Sequence, residues 1–451
     1  MPTLSPQQED AVRGVAKWFG DSPHAQPHKL AGFAGTGKST ILPYIIEECG
    51  LQPSQVAFCA PTGKAAKVMT EKFKAQGWDD VAANTIHKLI YKRPDDKADG
   101  VKKLLDSAED KANDLAAQLT AARAQGRAPE EVSKLEVDLA GAEKNAKDLQ
   151  ARFKEALSTR KSGLRFELNS GSPIRMKQLV VVDEASMVSE ELANDLRGFG
   201  VPILAIGDPG QLPPVSGGMG FDITRPDSFL SEIHRQAADN PIIWLSKEIR
   251  EGRRPDYGSY GDGILRILTK KQDDVTEDVG RDLQVICGTH ATRWRLTQKI
   301  RKAAGYTSTG PQKDEPLLVC RNSQTIPTLV NGSFVYCEED VGELVPQSDS
   351  FEVKFTDEYG ETRKLRVLQA LFEEHLLRKQ GAATITDRQL WMARKSYHQL
   401  DFGWVLTCHK SQGSQWDEVV VHDESSRFRE DSDKWLYTAV TRAAQRLTVI
   451  V

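Results

Sequence analysis

One stretch, Gly32-Phe33-Ala34-Gly35-Thr36-Gly37-Lys38-Ser39, limits what this chain can fold into more than any other. It fits G-x-x-x-x-G-K-[ST], the phosphate-binding P-loop, whose glycines let backbone N–H groups turn inward around phosphates. Lys29-Leu30-Ala31 before it reads as the end of a short buried strand, and Thr40-Ile41-Leu42 after it as the opening of a helix. The mechanism needs that strand–loop–helix context, because a helix N-terminus adds partial positive charge. Gly35, Thr36, Gly37 and Thr40 then form the cradle, Lys38 reaches the β- and γ-phosphates, and Ser39 holds Mg²⁺. The competing reading is a glycine-rich turn without a ligand.

A second stretch matches the first in chemistry. Leu179-Val180-Val181-Val182-Asp183-Glu184 sets four apolar residues before two carboxylates. The run suits a strand buried on both faces, as in a parallel sheet. As a Walker B signature, Asp183 binds Mg²⁺ through its shell and Glu184 orients or deprotonates water. Another strand, Ile203-Leu204-Ala205-Ile206, leads into Gly207-Asp208-Pro209-Gly210-Gln211. There Gln211 is either a γ-phosphate sensor or part of a plain loop. Arg235, in Ile233-His234-Arg235-Gln236, is a phosphate contact or a surface arginine.

Near the start, Ser5 is placed to cap a helix with Pro6 in its first position. Gln8 within it is a solvated helix residue, or an amide that reads an adenine edge by donating and accepting at once. The strand Gln55-Val56-Ala57-Phe58-Cys59 runs into Ala60-Pro61-Thr62-Gly63-Lys64, and Thr85-Ile86-His87-Lys88-Leu89 repeats the idea. Small and hydroxyl residues at the carboxyl end of a strand suit a ligand crevice. Each stretch is weak alone, and His87 alone reads as structural.

Between these segments the character changes. Apolar residues recur at Val101, Leu105, Ala108, Ala112, Leu115, Leu119 and Ala122. After Gly126 and Pro129 they return at Val132, Leu135, Leu139, Ala142, Ala146, Leu149, Phe153 and Ala156. The spacing alternates three and four, a heptad stripe in two arms broken by a turn. It predicts an antiparallel helical hairpin over about 98–124 and 130–157, with its tip at Gly126 and Arg127 exposed. The hairpin is either an isolated solvated helix pair with no task or a working arm. Downstream, Leu283–Cys287 and Thr292–Ala303 open a second α/β unit, resumed by Trp404–Thr407, Glu418–His422 and Arg446–Val451. Short strands at Pro316–Val319, Gly332–Tyr336, Glu352–Phe355 and Thr362–Val367 lie between.

Composition closes off several classes. The chain has 451 residues, room for about two to four domains. No apolar run is long enough to span a membrane, and MPTLSPQQED has neither the basic start nor the apolar core of a signal peptide. Six cysteines without C-x-x-C spacing argue against a zinc site or a disulfide frame, and for a reducing compartment. A net charge of −4 means that any nucleic acid must be held in a local groove. One Walker site, with a second unit carrying Arg442 near its end, reads as an ATPase whose nucleotide lies between two domains.

In order along the chain, LSPQQ, GFAGTGKST, APTGKAA, TIHKL, VVVDEAS, GDPGQLPPV, IHRQ, LTCHKSQGSQWDEVVV and YTAVTRA resemble the Q motif and motifs I, Ia, Ib, II, III, IV, V and VI of superfamily 1 helicases, in the RecD/Dda-like 5′-to-3′ branch (superfamily 1B). The resemblance implies an α/β fold with two RecA-like P-loop motor domains built on parallel sheets, at 1–90 with 166–240 and at 241–314 with 398–451. It also implies an SH3-like β-barrel insertion at 315–397; a coiled-coil insertion at 91–165 stands where relatives carry a strand-splitting pin. It implies that Gln8 recognises adenine and that Gln211, Arg235 and Arg442 contact the γ-phosphate or its transition state. Pro61, Thr62, Thr85, His87, Thr407 and His409 line a single-strand track. Relatives usually carry a glutamate, associated with the nucleotide sugar, where this chain has Gln415. The expected ligands are ATP, Mg²⁺, single-stranded DNA and its junction with duplex, with a protein partner for the coiled coil. The expected state is a cytoplasmic monomer (in a host's cytoplasm, were the source viral). A translocase that remodels protein–DNA complexes without separating strands, or a recruitment factor working through its coiled coil, are the alternative functions.

Overall fold

The computed structural model describes residues 4–21, 26–92, 94–161, 167–232, 239–273, 283–323, 325–326, 328–346, 348–377 and 396–451. They form two compact units: His87–Pro173, and the remainder of the chain on either side of it. Among the described residues no helix is long and apolar enough to cross a membrane.

In the larger unit the first sheet is parallel throughout. Its strands are His28–Gly32 (β1), Val56–Ala60 (β2), Asn84–Thr85 (β3), and, beyond a two-stranded ladder of Tyr91–Lys92 (β4) and Glu167–Leu168 (β5) in the smaller unit, Leu179–Val182 (β6), Ile203–Gly207 (β7) and Ser228–Leu230 (β8). The order is β3-β2-β6-β7-β1-β8. β2, β6 and β7 are buried along their whole length, which is why they appear in the sequence as unbroken apolar runs. The helix Pro6–Gly20 begins with a capping box in which Ser5 and Gln8 satisfy each other's backbone N–H groups. It packs Val12 and Val15 into the same core as Leu30, Ile45 and Phe58.

The second sheet takes Gly258–Tyr260 (β9), Leu265–Leu268 (β10) and Leu283–Cys287 (β11). A third begins with Pro316–Val319 (β12), Phe334–Cys337 (β13), Ser350–Asp357 (β14), Thr362–Leu368 (β15) and Leu400–Phe402 (β16). The chain then returns to the second through Val405–Thr407 (β17), Trp416–His422 (β18) and Ala443–Ile450 (β19). The second sheet runs β17-β11-β18-β19-β10-β9, parallel except for β9. The third, β15-β14-β13-β12-β16, is antiparallel.

The third sheet is fastened to the helix His290–Ala303 by two fully buried ion pairs. Arg293 meets Asp401 at 2.7 Å, and Arg301 meets Glu315 at 2.7 Å. Glu315 also accepts from the Trp404 indole at 2.9 Å, and the Arg301 guanidinium lies over the Phe402 ring. Removing either partner alone would strand a buried charge, at a cost of roughly 3–5 kcal/mol. Asp401 lies on β16, which pairs with β12. This corrects the expected boundary at 398: residues 400–402 serve the third sheet. Leu400 to Thr407 is one buried stretch, so hydrophobicity gives no sign that the chain changes sheets within it.

The smaller unit contains the helices Pro94–Ala124 and Pro129–Lys161. Leu105 and Ala108 share a buried cluster with Leu149, while Arg123 pairs with Glu136 at 2.6 Å, so the helices run antiparallel. Gly126, at φ 63°, ends the first helix: its N–H reaches the carbonyl of Arg123, and the N–H of Arg127 reaches that of Ala122. This is the Schellman closure that glycine favours. Residues 125–128 are exposed, and each described seam position of the heptad stripe is buried or half-buried. The unit extends past the expected limits of 91 and 165. Tyr91 pairs with Leu168, and Asn169 donates its N–H to Ile90, closing the root of the hairpin on itself.

Candidate active site

The phosphate loop leaves β1 at Gly32 and binds itself together. The Thr36 hydroxyl donates to the carbonyl of Phe33 at 2.8 Å from an almost fully buried position. Gly35 and Gly37 lie at φ 80° and 79°, the region that glycine enters without steric cost. A Cβ on Gly32 would sit 2.7 Å from Thr36 Oγ1, so the loop closes only over a bare Cα. The helix expected from Thr40 begins at Leu42, though the N–H groups of Thr40 and Ile41 already bond to Gly37. Pro43 in the first turn permits that late start.

Lys38 folds back on its own loop. Its ammonium donates to the carbonyls of Gly32 at 2.7 Å and Phe33 at 3.0 Å, and lies 4.0 Å from the Asp208 carboxylate. A phosphate would offer the same ammonium stronger, charge-assisted bonds. The Ser39 hydroxyl accepts from Lys72 at 3.3 Å. Gln8 is buried, not solvated: its Oε1 accepts from the Ser5 N–H and its Nε2 donates to the carbonyl of Thr36 at 3.2 Å. The helix cap thereby fixes the amide against the phosphate loop.

At the end of β6, Asp183 Oδ1 accepts the backbone N–H of Glu184 at 2.9 Å. Glu184 has φ 52° and ψ 40°, a left-handed conformation that costs a non-glycine residue on the order of 1–3 kcal/mol and occurs mainly at functional sites. Burial raises its carboxyl above the usual carboxylate range, and the Asp183 charge raises it further. The nearby charges of Arg442 and Lys38 oppose the rise. The Ser39 hydroxyl and Asp183 carboxylate are hard oxygen donors of the kind that Mg²⁺ takes alongside phosphate oxygens and water.

The helix Ser432–Val440, which follows β18, reaches the first sheet directly. The Tyr437 hydroxyl accepts the N–H of Ala34 at 2.9 Å and donates to Asp208 Oδ2 at 2.7 Å. Asp208 Oδ1 takes the N–H of Gly210 at 2.9 Å. Burial and the Asp208 charge keep the phenol protonated, well above its ordinary pKa. Thr438 accepts the N–H of Leu212 at 2.9 Å, and Gln412 donates to the Leu212 carbonyl at 3.2 Å. Arg442 is buried and held by the carbonyls of Thr438 at 3.0 Å and Ser414 at 3.1 Å. Arg250 stacks 3.4 Å above the Phe33 ring. Gln211 is buried, and its Oε1 finds no hydrogen-bond partner among the described residues.

The expected strand-contacting residues are spread over several elements. Thr62 caps the helix Gly63–Ala75 through a bond from Ala65, and Pro61 precedes it. A Cβ on Gly413 would lie 3.0 Å from Ala65 and 3.4 Å from Thr62 Oγ1, so the segments after β2 and β17 abut. Thr407 is buried at the head of the helix Cys408–Ser411; His409 is half-buried beside the Phe428 ring, with its pKa lowered by burial. Thr85 ends β3, whereas His87 belongs to the smaller unit, where its ring lies 5.4 Å from Tyr91. Gln415 follows Ser414, whose carbonyl holds Arg442. It is exposed and lines a cavity of about 430 Å³ with Lys64, Phe334, Tyr336, Trp404 and Trp416, a lining that includes no phosphate-loop residue. Arg235 falls outside the described residues. Sequence reasoning missed Tyr437 and Asp208 as site residues; the available signals were a hydroxyl-bearing aromatic in an apolar helix and an aspartate ending a buried strand.

The chain is similar to several known proteins. The AAA domain family matches over residues 3–263, and the UvrD-like helicase C-terminal domain over 402–450. The ATP-dependent RecD2 DNA helicase of Deinococcus radiodurans is 26% identical over 280 residues, covering 59% of this chain and 35% of that protein. The RecBCD enzyme subunit RecD of Mycobacterium tuberculosis is 26% identical over 328 residues, covering 67% and 54%. The chain thus spans between a third and about half the length of these relatives. Among solved structures, the Pif1 helicase of Candida albicans aligns over 100% of this chain and 94% of its own at 19% identity, with a TM-score of 0.48.

Proposed function

The chain belongs to the AAA-domain family, in the RecD-like branch of superfamily 1, and from that premise we propose that it hydrolyses ATP to move along single-stranded DNA, 5′ to 3′, and to open the duplex ahead. One observation carries the reading: the helix that precedes Arg442 on the second sheet is bonded through Tyr437 and Thr438 to the phosphate loop and to the loop after β7 on the first. ATP would sit at Gly35–Thr40, with Lys38 exchanging the Gly32 and Phe33 carbonyls for phosphate oxygens. Mg²⁺, held by Ser39 and the shell of Asp183, would neutralise phosphate charge. Glu184, once ionised, takes a proton from the attacking water, and Arg442 meets the charge that develops in the transition state. Nucleotide-dependent closure of the two sheets then moves the strand-contacting segments after β2 and β17 relative to each other.

The test is steady-state ATP hydrolysis with and without single-stranded DNA, for the wild-type chain and for Lys38→Ala. DNA should stimulate the wild type, and the variant should lose turnover. Undiminished hydrolysis by Lys38→Ala would end the site assignment. A tailed duplex in the same reaction separates an unwinding motor from a translocase that leaves strands paired.

A further inference from the structure

We propose that Tyr437 is a positioning residue for this hydrolysis: its hydroxyl, shared between the phosphate loop and Asp208, seats the helix Ser432–Val440 so that Arg442 is delivered to the nucleotide site. The inference rests on the reading above and assigns a task to a side chain whose hydroxyl bonds to Ala34 and Asp208.

The geometry leaves the phenol little freedom. Its oxygen accepts from Ala34 and donates to Asp208, using its donor and an acceptor position on two separate segments of the first sheet's site. Asp208 is fixed from its other oxygen by Gly210. Gly210 also has to be bare, since a Cβ there would stand 2.9 Å from the Tyr437 ring. The hydroxyl and the ring face therefore seat the helix at two independent points.

Arg442 depends on that seat. Among the described residues its guanidinium hydrogen-bonds to carbonyls of its own sheet's segments, Thr438 and Ser414, and to the Thr441 hydroxyl. Those bonds set its direction relative to its helix. Its distance from the phosphate loop is set by where the helix lies, and Tyr437 with Thr438 makes that connection. A phenylalanine would keep the packing against Gly210 and lose the link.

The test is Tyr437→Phe in the full chain, with kcat and KM for ATP measured at saturating single-stranded DNA, beside a thermal melt. The expected result is a kcat roughly tenfold lower with KM near wild type, since phenylalanine loses both bonds of the hydroxyl, to Ala34 and to Asp208, while the melt shows that the chain still folds. Unchanged kcat, or a raised KM with kcat intact, overturns the inference. If the variant does not fold, Gly210→Ala displaces the same ring from the other side and should give the same fall in kcat at constant KM; wild-type kcat there overturns the inference equally. A wild-type chain that hydrolyses no ATP brings down the functional reading itself, a result distinct from a wild type that turns over and a Tyr437→Phe that matches it.

Discussion

Arg442 carries its charge into a buried position without a carboxylate partner among its described bonds; only carbonyl oxygens and a hydroxyl hold it. An arrangement of that kind keeps the charge available for a group that becomes negative during the reaction. Arg442→Ala should therefore lower turnover by roughly 10³. ATP affinity should fall much less, because the interaction strengthens chiefly in the transition state. Turnover measured beside equilibrium nucleotide binding checks this, and equal losses in both would make the arginine structural. Glu184 predicts a pH dependence. Its carboxyl is raised in the free chain, and it acts as a base only when ionised, so activity is lost as pH falls through the raised value. The acid limb of the kcat/KM profile should lie above the ordinary glutamate value of about 4.3. A limb at or below that value contradicts the role of Glu184. Lys38, Ser39, Asp183 and Glu184 were legible because loop and strand grammar confines them to a few consecutive positions. Tyr437 was not, because its bond to Ala34 spans 403 positions and no local pattern records it. Gln8 lay between: its two readings separate only when burial is known, and burial removes the solvated one.

Elements were legible to the extent that burial repeats along them. β6 and β7 appear as apolar runs because both faces are covered. β8 and β9, three residues each with exposed positions, leave no such run, and neither was expected. The helical pair was legible from its three-and-four spacing, and its helices extend to Pro94–Ala124 and Pro129–Lys161, about 46 Å for the shorter at 1.5 Å per residue. Its seam is rich in alanine, so Leu105, Leu119 and Leu149 supply much of the packing. The root closes through Tyr91–Leu168 and Ile90–Asn169, both outside residues 100–155. Replacing 100–155 with a short Gly/Ser link should thus leave that root able to form and ATP hydrolysis intact, while strand separation or partner capture weakens. Measuring ATPase, unwinding and capture of candidate partners on the same preparation decides it. Full activity in all of them would make the arm a spacer.

At the scale of the molecule, the net charge of −4 argues that DNA, in the proposed function, would be gripped by placed groups and not by a general field. Two sheets meet through Tyr437, Thr438 and Gln412 on one side and the phosphate loop and Leu212 on the other. The segments that would hold a strand, after β2 and after β17, abut at Gly413. A motor built this way advances by loosening one segment while the other holds. Direction depends on which segment holds as the sheets close, and closure alone is compatible with either. The sequence motifs supply the choice, since their arrangement resembles the branch that runs 5′ to 3′. A duplex carrying only a 5′ single-stranded tail should therefore be unwound in the presence of ATP, and one carrying only a 3′ tail should not. The two substrates share one duplex sequence and one tail length, so that affinity for the tail cannot masquerade as direction. A clear preference for the 3′ tail would overturn the assignment to this branch, with the nucleotide site unchanged.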